Sequence, residues 1–473
     1  MTGRSSRTPS NSGRRPRWSG HGRLSRADTL TPIVRRYAGY NVPRYTSYPT
    51  AADFSAEVGA KDHETWLAGL GADQAVSVYL HVPYCRKICL YCGCNTKMAV
   101  RDDVVGAYRR ALETEVDLVA SLVGARPKIA RLHWGGGTPS ILGPDGLRSV
   151  IAALRRQFPF ANGSEHAIEL DPRHVTVALV EALAELGVSR ASLGVQDVNP
   201  LVQAAIGRLQ PLAVIETAVE RLRSAGIRNL NFDLMYGLPL QTATSIRKTC
   251  ALVAAMGPDR IACFGYAHLP RLKANQRRID EAKLPSQDQR IEQAEALSEE
   301  LIRAGYVRIG IDHFAKPGDA LARAAAGGTL HRNFQGYTED ASGVLLGLGA
   351  SSISTFADGF AQNAADLPRY VGAIAAGSLA SARGCLRDEN DRQRAYIIER
   401  LMCDFSVDLD VVAPNAEFRD EMARLIPMQS EGLVEIDGAR LTVTQAGRPV
   451  VRVIAATFDT YRCAQAALFS SAI

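Results

Sequence analysis

Between residues 76 and 265 six β-rich runs alternate with five longer amphipathic stretches. The runs fall at 76–82, 129–134, 167–170, 190–195, 230–235 and 261–264, and the stretches near 102–122, 144–158, 174–187, 211–224 and 241–256. Strands separated by a helix cannot form hairpins. They pair in parallel through crossovers, which predicts an α/β fold. Six such strands predict a (β/α)6-type sheet curled into an open, partial TIM barrel, with its chemistry gathered at the C-terminal ends of the strands. After residue 385 the pattern changes to helices followed by an apolar-polar alternation over 433–443, where Asp437-Gly438 supplies a hairpin turn. This predicts a small, mainly α-helical, winged-helix-like C-terminal domain. The expected division is a tail at 1–32, a segment covering the active site at 33–75, the barrel with its extensions at 76–385, and the small domain at 386–473.

A chain of 473 residues, 46% hydrophobic, can bury one barrel-sized core and a smaller one. No apolar run approaches the roughly 18 residues of a membrane helix, and the N-terminus lacks the apolar stretch of a secretory signal, so a cytoplasmic protein with no membrane partner is expected. The net charge of +6 points to nucleic acid only until it is located. Seven arginines and no acid lie within residues 1–26, which leaves 48 Lys and Arg against 49 Asp and Glu in the rest of the chain. The basic character belongs to a Ser/Gly/Pro/Arg tail of disordered composition, not to a folded phosphate-binding face. No nucleic-acid partner is expected, and Arg448 and Arg452 are too few to make the small domain a DNA reader.

Four of the nine cysteines, Cys85, Cys89, Cys92 and Cys94, lie within ten residues at the end of the first strand. Cys250, Cys263, Cys385, Cys403 and Cys463 are scattered and read as small core residues. This distribution suits a reducing compartment and one metal site. The C-x3-C-x2-C spacing of Cys85, Cys89 and Cys92 can bring three thiolates to one face of a 4Fe-4S cluster and leave one iron open to a small molecule. A zinc site using all four cysteines, or three with His81, is the alternative, but zinc favours paired C-x2-C spacings, which are absent. A fourth cysteine ligand would close the site, so Cys94 is assigned to its surroundings.

The second strand runs into Trp134-Gly135-Gly136-Gly137-Thr138-Pro139, where successive glycines let a ligand approach the backbone. Later strand ends carry Glu169, Gln196, Asp233 and Ala267. A single polar residue in an apolar strand can be a satisfied core group. A series of them at successive strand ends is better explained by one site.

Together these motifs resemble the radical S-adenosylmethionine (SAM) enzymes, in which the open iron chelates the methionine end of SAM and the reduced cluster cleaves SAM to a 5'-deoxyadenosyl radical. From about residue 33 to 473 the resemblance narrows to the oxygen-independent coproporphyrinogen III oxidases. It is carried by Pro43-Arg-Tyr-Thr-Ser-Tyr-Pro49, Cys92-Gly-Cys94-Asn95, Gly310-Ile-Asp-His-Phe-Ala315, His331-Arg-Asn-Phe-Gln-Gly-Tyr337 and Phe458-Asp-Thr-Tyr461. It implies oxidative decarboxylation of two propionates of coproporphyrinogen III to vinyl groups, giving protoporphyrinogen IX in haem biosynthesis without oxygen. It also implies two SAM molecules. Tyr79, Gly136, Glu169 and Ile353 match positions contacting the first. Tyr91, Gly137, Thr138, Gln196, Arg208, Asp233 and Ala267 match positions contacting the second. Phe334 and Gln335 match positions beside the first SAM that orient substrate, and with Tyr79 and Glu169 they form the implied catalytic set. A reducing donor such as a flavodoxin or ferredoxin and a monomeric state complete the expectation. The Arg-rich leader departs from the family pattern, and Tyr91 stands where another aromatic is common.

Two rivals share the barrel. Radical SAM-like haem chaperones generally lack the Pro43–Pro49 motif and a cysteine equivalent to Cys94, both present here. Anaerobic haem-degrading methyltransferases would be exposed by a methylated product.

Overall fold

The computed structural model describes residues 32–412 and 418–462. The Arg-rich tail over 1–31 and Cys463 lie outside the described residues.

All six expected strands form: β1 (Ala75–Val82), β2 (Lys128–Gly136), β3 (Phe160–Leu170), β4 (Arg190–Gln196), β5 (Asn229–Tyr236) and β6 (Arg260–Gly265). They lie side by side in this order, all parallel. The crossovers are α1 (Asp102–Leu122), α2 (Gly143–Gln157), α3 (Val177–Glu185), α4 (Leu212–Ser224) and α5 (Ala243–Ala255).

Strand periodicity decides what the barrel contains. In β1, Val76, Val78, Leu80 and Val82 belong to the main apolar core. Leu132 and Trp134, Leu193 and Val195, and Phe232 and Leu234 continue that core on the following strands. The alternate positions turn inward, so Ser77, Arg131, His133, Glu169, Ser192, Asn231 and Asp233 line a lumen of about 240 Å³. A lumen lined with polar side chains is a place for ligands, not a second core. At the starts of the strands Arg131 pairs with Glu165 at 3.2 Å and Arg260 with Glu339 at 3.0 Å, and Arg190 reaches Glu165 at 3.3 Å. Arg131, Glu165, Arg190 and Arg260 all line the lumen.

The sheet extends beyond the six strands, which the periodicity did not disclose. β7 (Val307–Ile309) and β8 (His313–Ala315) continue it past β6. A separate hairpin, β9 (His331–Asn333) and β10 (Gly336–Thr338), carries Phe334 and Gln335 at its turn. β11 (Leu345–Leu348) pairs in parallel with β1, and β12 (Ile353–Phe356), β13 (Gly359–Asn363) and β14 (Ser381–Leu386) follow antiparallel, giving twelve strands in all. Most of the added strands are too short to show a period of two.

The C-terminal module combines α7 (Glu389–Asp404), taken after the helix α6 (Gln287–Arg303), with α8 (Arg419–Ser430). Its small sheet joins β15 (Ser406–Asp408), β16 (Val434–Asp437) and β17 (Arg440–Val443), with Gly438 at φ +58° in the turn. Its core also takes in Val34, Tyr37, Val42, Tyr45 and Tyr48 from the N-terminal segment. That segment and the module therefore share one apolar cluster.

Candidate functional site

The ends of β1 to β6 open into a cavity of about 530 Å³. Cys85, Cys89 and Cys92 line it from the loop after β1. Cys89 is buried, Cys85 and Cys92 are half-buried, and Cys94 is exposed. Two residues far along the chain hold this loop. The Asn275 side-chain amide faces the carbonyls of Cys89, Leu90 and Cys92 at 3.1, 3.1 and 2.9 Å. Gln276 donates to the Tyr91 carbonyl at 2.8 Å and the Ala267 carbonyl at 3.2 Å. Sequence reasoning missed both, because no motif links them to cysteines some 180 positions away.

The Cys85 sulfur lies 3.3 Å from the Thr138 hydroxyl and 3.5 Å from that of Thr96. A hydrogen bond from Cys94 holds the Cys92 thiol down at about 6, with Lys273 and Arg208 adding positive charge. Thiolates are the iron-binding form, so a lowered thiol suits a ligand. Among the described residues no three Cys, His, Asp or Glu side chains stand close enough to hold one metal ion. The three thiols instead border the larger cavity, and an all-thiolate donor set around such a space suits an iron-sulfur cluster.

The glycine turn after β2 packs too tightly for side chains. A Cβ on Gly135 would stand 2.7 Å from the Glu169 carboxylate and 2.8 Å from the Tyr79 hydroxyl. On Gly136, at φ +112°, it would meet the His81 ring at 2.8 Å, and on Gly137 the Tyr84 carbonyl at 2.5 Å. Glu169 accepts the Gly136 N–H at 3.3 Å and faces His133 Nε2 at 3.2 Å.

On the far wall a register shift between β4 and β5 falls beside Gln196, which adopts φ +67° and lines the cavity. Such a bulge redirects a side chain out of the strand's regular alternation. Arg208 bridges this wall to the cysteines, donating to the Gly194 carbonyl at 2.8 Å. Asp171, despite its burial, is held low by Arg173 and Arg208. Asp233 accepts from Ser192 at 3.0 Å and Asn231 at 2.9 Å. Burial first, and then the charge of Glu169, push its carboxyl up to about 6.

The cavity thus brings together Cys85, Cys89, Tyr91, Cys92, Gly136, Gly137, Thr138, Glu169, Gln196, Arg208, Asp233 and Ala267. Four expected site residues stand elsewhere. Tyr79 lies behind the glycine turn, its hydroxyl 3.1 Å from His81 Nδ1. Ile353 pairs with Gln362 on the neighbouring strands. Phe334 lines a separate cleft of about 350 Å³, edge-on to Phe360. Gln335 lines the lumen, which Glu169 and Asp233 join to the cavity.

The radical SAM superfamily matches residues 79–253 and the HemN C-terminal domain matches residues 388–450. An oxygen-independent coproporphyrinogen III oxidase from Bradyrhizobium diazoefficiens is 46% identical over 430 residues, covering 90% of this chain and 96% of its own. One from Paracoccus denitrificans is 43% identical, covering 89% and 94%. The solved structure of coproporphyrinogen III oxidase (HemN) from Escherichia coli, a radical SAM enzyme, superposes with a TM-score of 0.84 at 37% identity, over 89% of this chain and 100% of that one.

Proposed function

Because the chain belongs to the family of oxygen-independent coproporphyrinogen III oxidases, we propose that its cavity is the place where two propionates of coproporphyrinogen III become the vinyl groups of protoporphyrinogen IX. It is a radical SAM enzyme of haem biosynthesis that uses a 4Fe-4S cluster and SAM. When bound, these cofactors would supply a 5'-deoxyadenosyl radical, the hydrogen-atom acceptor that conversion of a propionate to a vinyl group with loss of carbon dioxide requires.

The observation carrying this reading is that Cys85, Cys89 and Cys92 share one cavity with the glycine turn and Glu169. The three cysteines are the cluster ligands. Gly136 and Glu169, backed by Tyr79, with Ile353 on the adjacent strands, hold the first SAM. The glycine backbone would allow close approach, and the Glu169 carboxylate would offer an acceptor to an amino group there. Tyr91, Gly137, Thr138, Gln196, Arg208, Asp233 and Ala267 form the second SAM position, and Phe334 and Gln335 orient substrate from the hairpin between lumen and cleft. No helix among the described residues is long and apolar enough to cross a membrane. The enzyme acts as a cytoplasmic monomer, without nucleic acid, on electrons from a flavodoxin- or ferredoxin-like donor.

The test is anaerobic incubation of iron-reconstituted protein with coproporphyrinogen III, SAM and a strong reductant. Protoporphyrinogen IX and 5'-deoxyadenosine are expected. Full iron content and SAM cleavage with an unchanged or methylated porphyrin would overturn the reading.

A further inference from the structure

The carboxylates of the cavity are engaged within the protein, whereas three cations at its border are not. Asp171 is ion-paired with Arg173 and Arg208. Asp233 is held by Ser192 and Asn231, and Glu169 by the turn and His133. Arg44, Lys87 and Lys273 also line the cavity. They come from three separate segments, and among the described residues none of them forms an ion pair. Arg44 donates to the Gly265 carbonyl at 2.9 Å and Lys273 to the Cys94 carbonyl at 3.1 Å, contacts with neutral acceptors that put no carboxylate against either side chain.

The fold goes to some expense to present Arg44. Arg332 donates to the carbonyls of Arg44 and Tyr45, both at 3.1 Å. Arg452, 7% exposed, donates to the carbonyls of Pro43 at 2.9 Å and of Val42. Tyr45 takes φ +48°, costly for a residue with a side chain, and its hydroxyl is tied to Asp459 at 2.9 Å. Two arginines therefore brace the backbone around a third, although like charges repel. Burial, and then the charge of Arg44, push the Arg452 guanidinium down to about 10. Backbone strain and crowded cations of this kind persist where a site needs them.

We propose that Arg44, Lys87 and Lys273 form a carboxylate-binding border that recognises the propionates of the porphyrinogen at the cavity mouth. The proposal rests on the function inferred above. Carboxylates not undergoing reaction need cations that are fixed in place but not already neutralised, and unpaired positive charge at a mouth also steers a polyanion toward it.

The test uses iron-loaded protein and coproporphyrin III, the air-stable oxidised form, with binding followed by fluorescence quenching. Arg44→Ala should weaken binding by about tenfold, the scale of a lost charged hydrogen bond, with SAM affinity and iron content unchanged, and the Lys87→Ala/Lys273→Ala pair should weaken it as much when binding is measured per iron-loaded chain. Arg271→Ala, on the same loop as Lys273 but outside the cavity lining, should bind normally. The neutral tetramethyl ester should bind wild-type protein weakly, which decides the question even where a variant fails to fold. Equal affinity for acid and ester, an equal loss in Arg271→Ala, or variants that bind porphyrin normally but lose only SAM or electron transfer from an acidic donor would overturn the border. Wild-type protein that binds the acid selectively yet makes no protoporphyrinogen would instead overturn the function and leave the carboxylate site standing.

Discussion

Arg208 ties a cysteine to a carboxylate across the cavity: its Nη1 stands 3.5 Å from the Cys89 sulfur and 3.2 Å from Asp171. A guanidinium there helps hold Asp171 ionised despite its burial. Arg208→Met should keep the three cysteine ligands, and therefore iron, while Asp171 loses one of its two cations. The expected cost is about 2 kcal/mol, the size of a lost charged hydrogen bond, read from urea denaturation beside an iron assay. Porphyrin turnover should be lost. Wild-type turnover would show that Arg208 only stabilises the fold.

The cysteines differ in kind. Cys89→Ser should abolish iron binding, since Cys89 is one of the three proposed ligands and is buried against Arg208. Cys94→Ser, at an exposed position outside the trio, should retain four irons per chain by analogy with the expected 4Fe-4S site. Iron and sulfide analysis after anaerobic reconstitution decides between them, and loss of iron in Cys94→Ser would reassign the ligands.

Gly136→Val should separate SAM binding from iron binding. The new side chain would enter at 2.8 Å from the His81 ring and at a φ that valine rarely adopts. We expect full iron content with no 5'-deoxyadenosine formed. Normal cleavage would move the methionine end of SAM away from the turn.

The proposed second SAM position is probed from the opposite wall. Gln196→Ala and Asp233→Ala each remove a polar group from the cavity without touching the cysteines. Iron should remain and 5'-deoxyadenosine should still form unproductively, while protoporphyrinogen disappears. Full turnover by both variants would show that no second SAM is needed.

Glu115 gives a pH signature away from the chemistry. It is buried, accepting from Asn363 at 2.6 Å, Tyr370 at 2.7 Å and the Gly349 N–H at 2.6 Å. Burial outweighs these bonds and pushes its carboxyl up to about 7. The folded state then holds a proton that the unfolded chain releases near pH 4.5, so this contribution is complete below pH 4.5 and is lost as the pH rises toward 7. The full swing is about 3 kcal/mol. Glu115→Gln should flatten that part of the stability-pH curve, and an identical slope in both proteins would place the proton elsewhere.

Much of this molecule is local information. The alternation in 76–82 and 230–235 marks strands with one apolar and one polar face because burial selects side chains every second residue, and the structure forms both strands with the lumen on the polar side. The spacing of Cys85, Cys89 and Cys92 and the run Gly135-Gly136-Gly137 are legible for the same reason, since each works within a few residues of backbone.

Partnership between distant segments carries no such period, and there the tertiary structure decides. No local pattern joins Asn275 and Gln276 to the cysteine loop, places Tyr45 and Tyr48 in the core of the C-terminal module, or sets Arg332 and Arg452 on either side of Arg44. The strands β11 to β14 are likewise extended runs whose place beside β1 depends on long-range backbone pairing. Side-chain chemistry and its spacing along the chain mark the three-cysteine motif and the glycine turn. Which cations line the cavity, and how firmly the cysteine loop is held, follow from contacts that exist only once the chain has closed on itself.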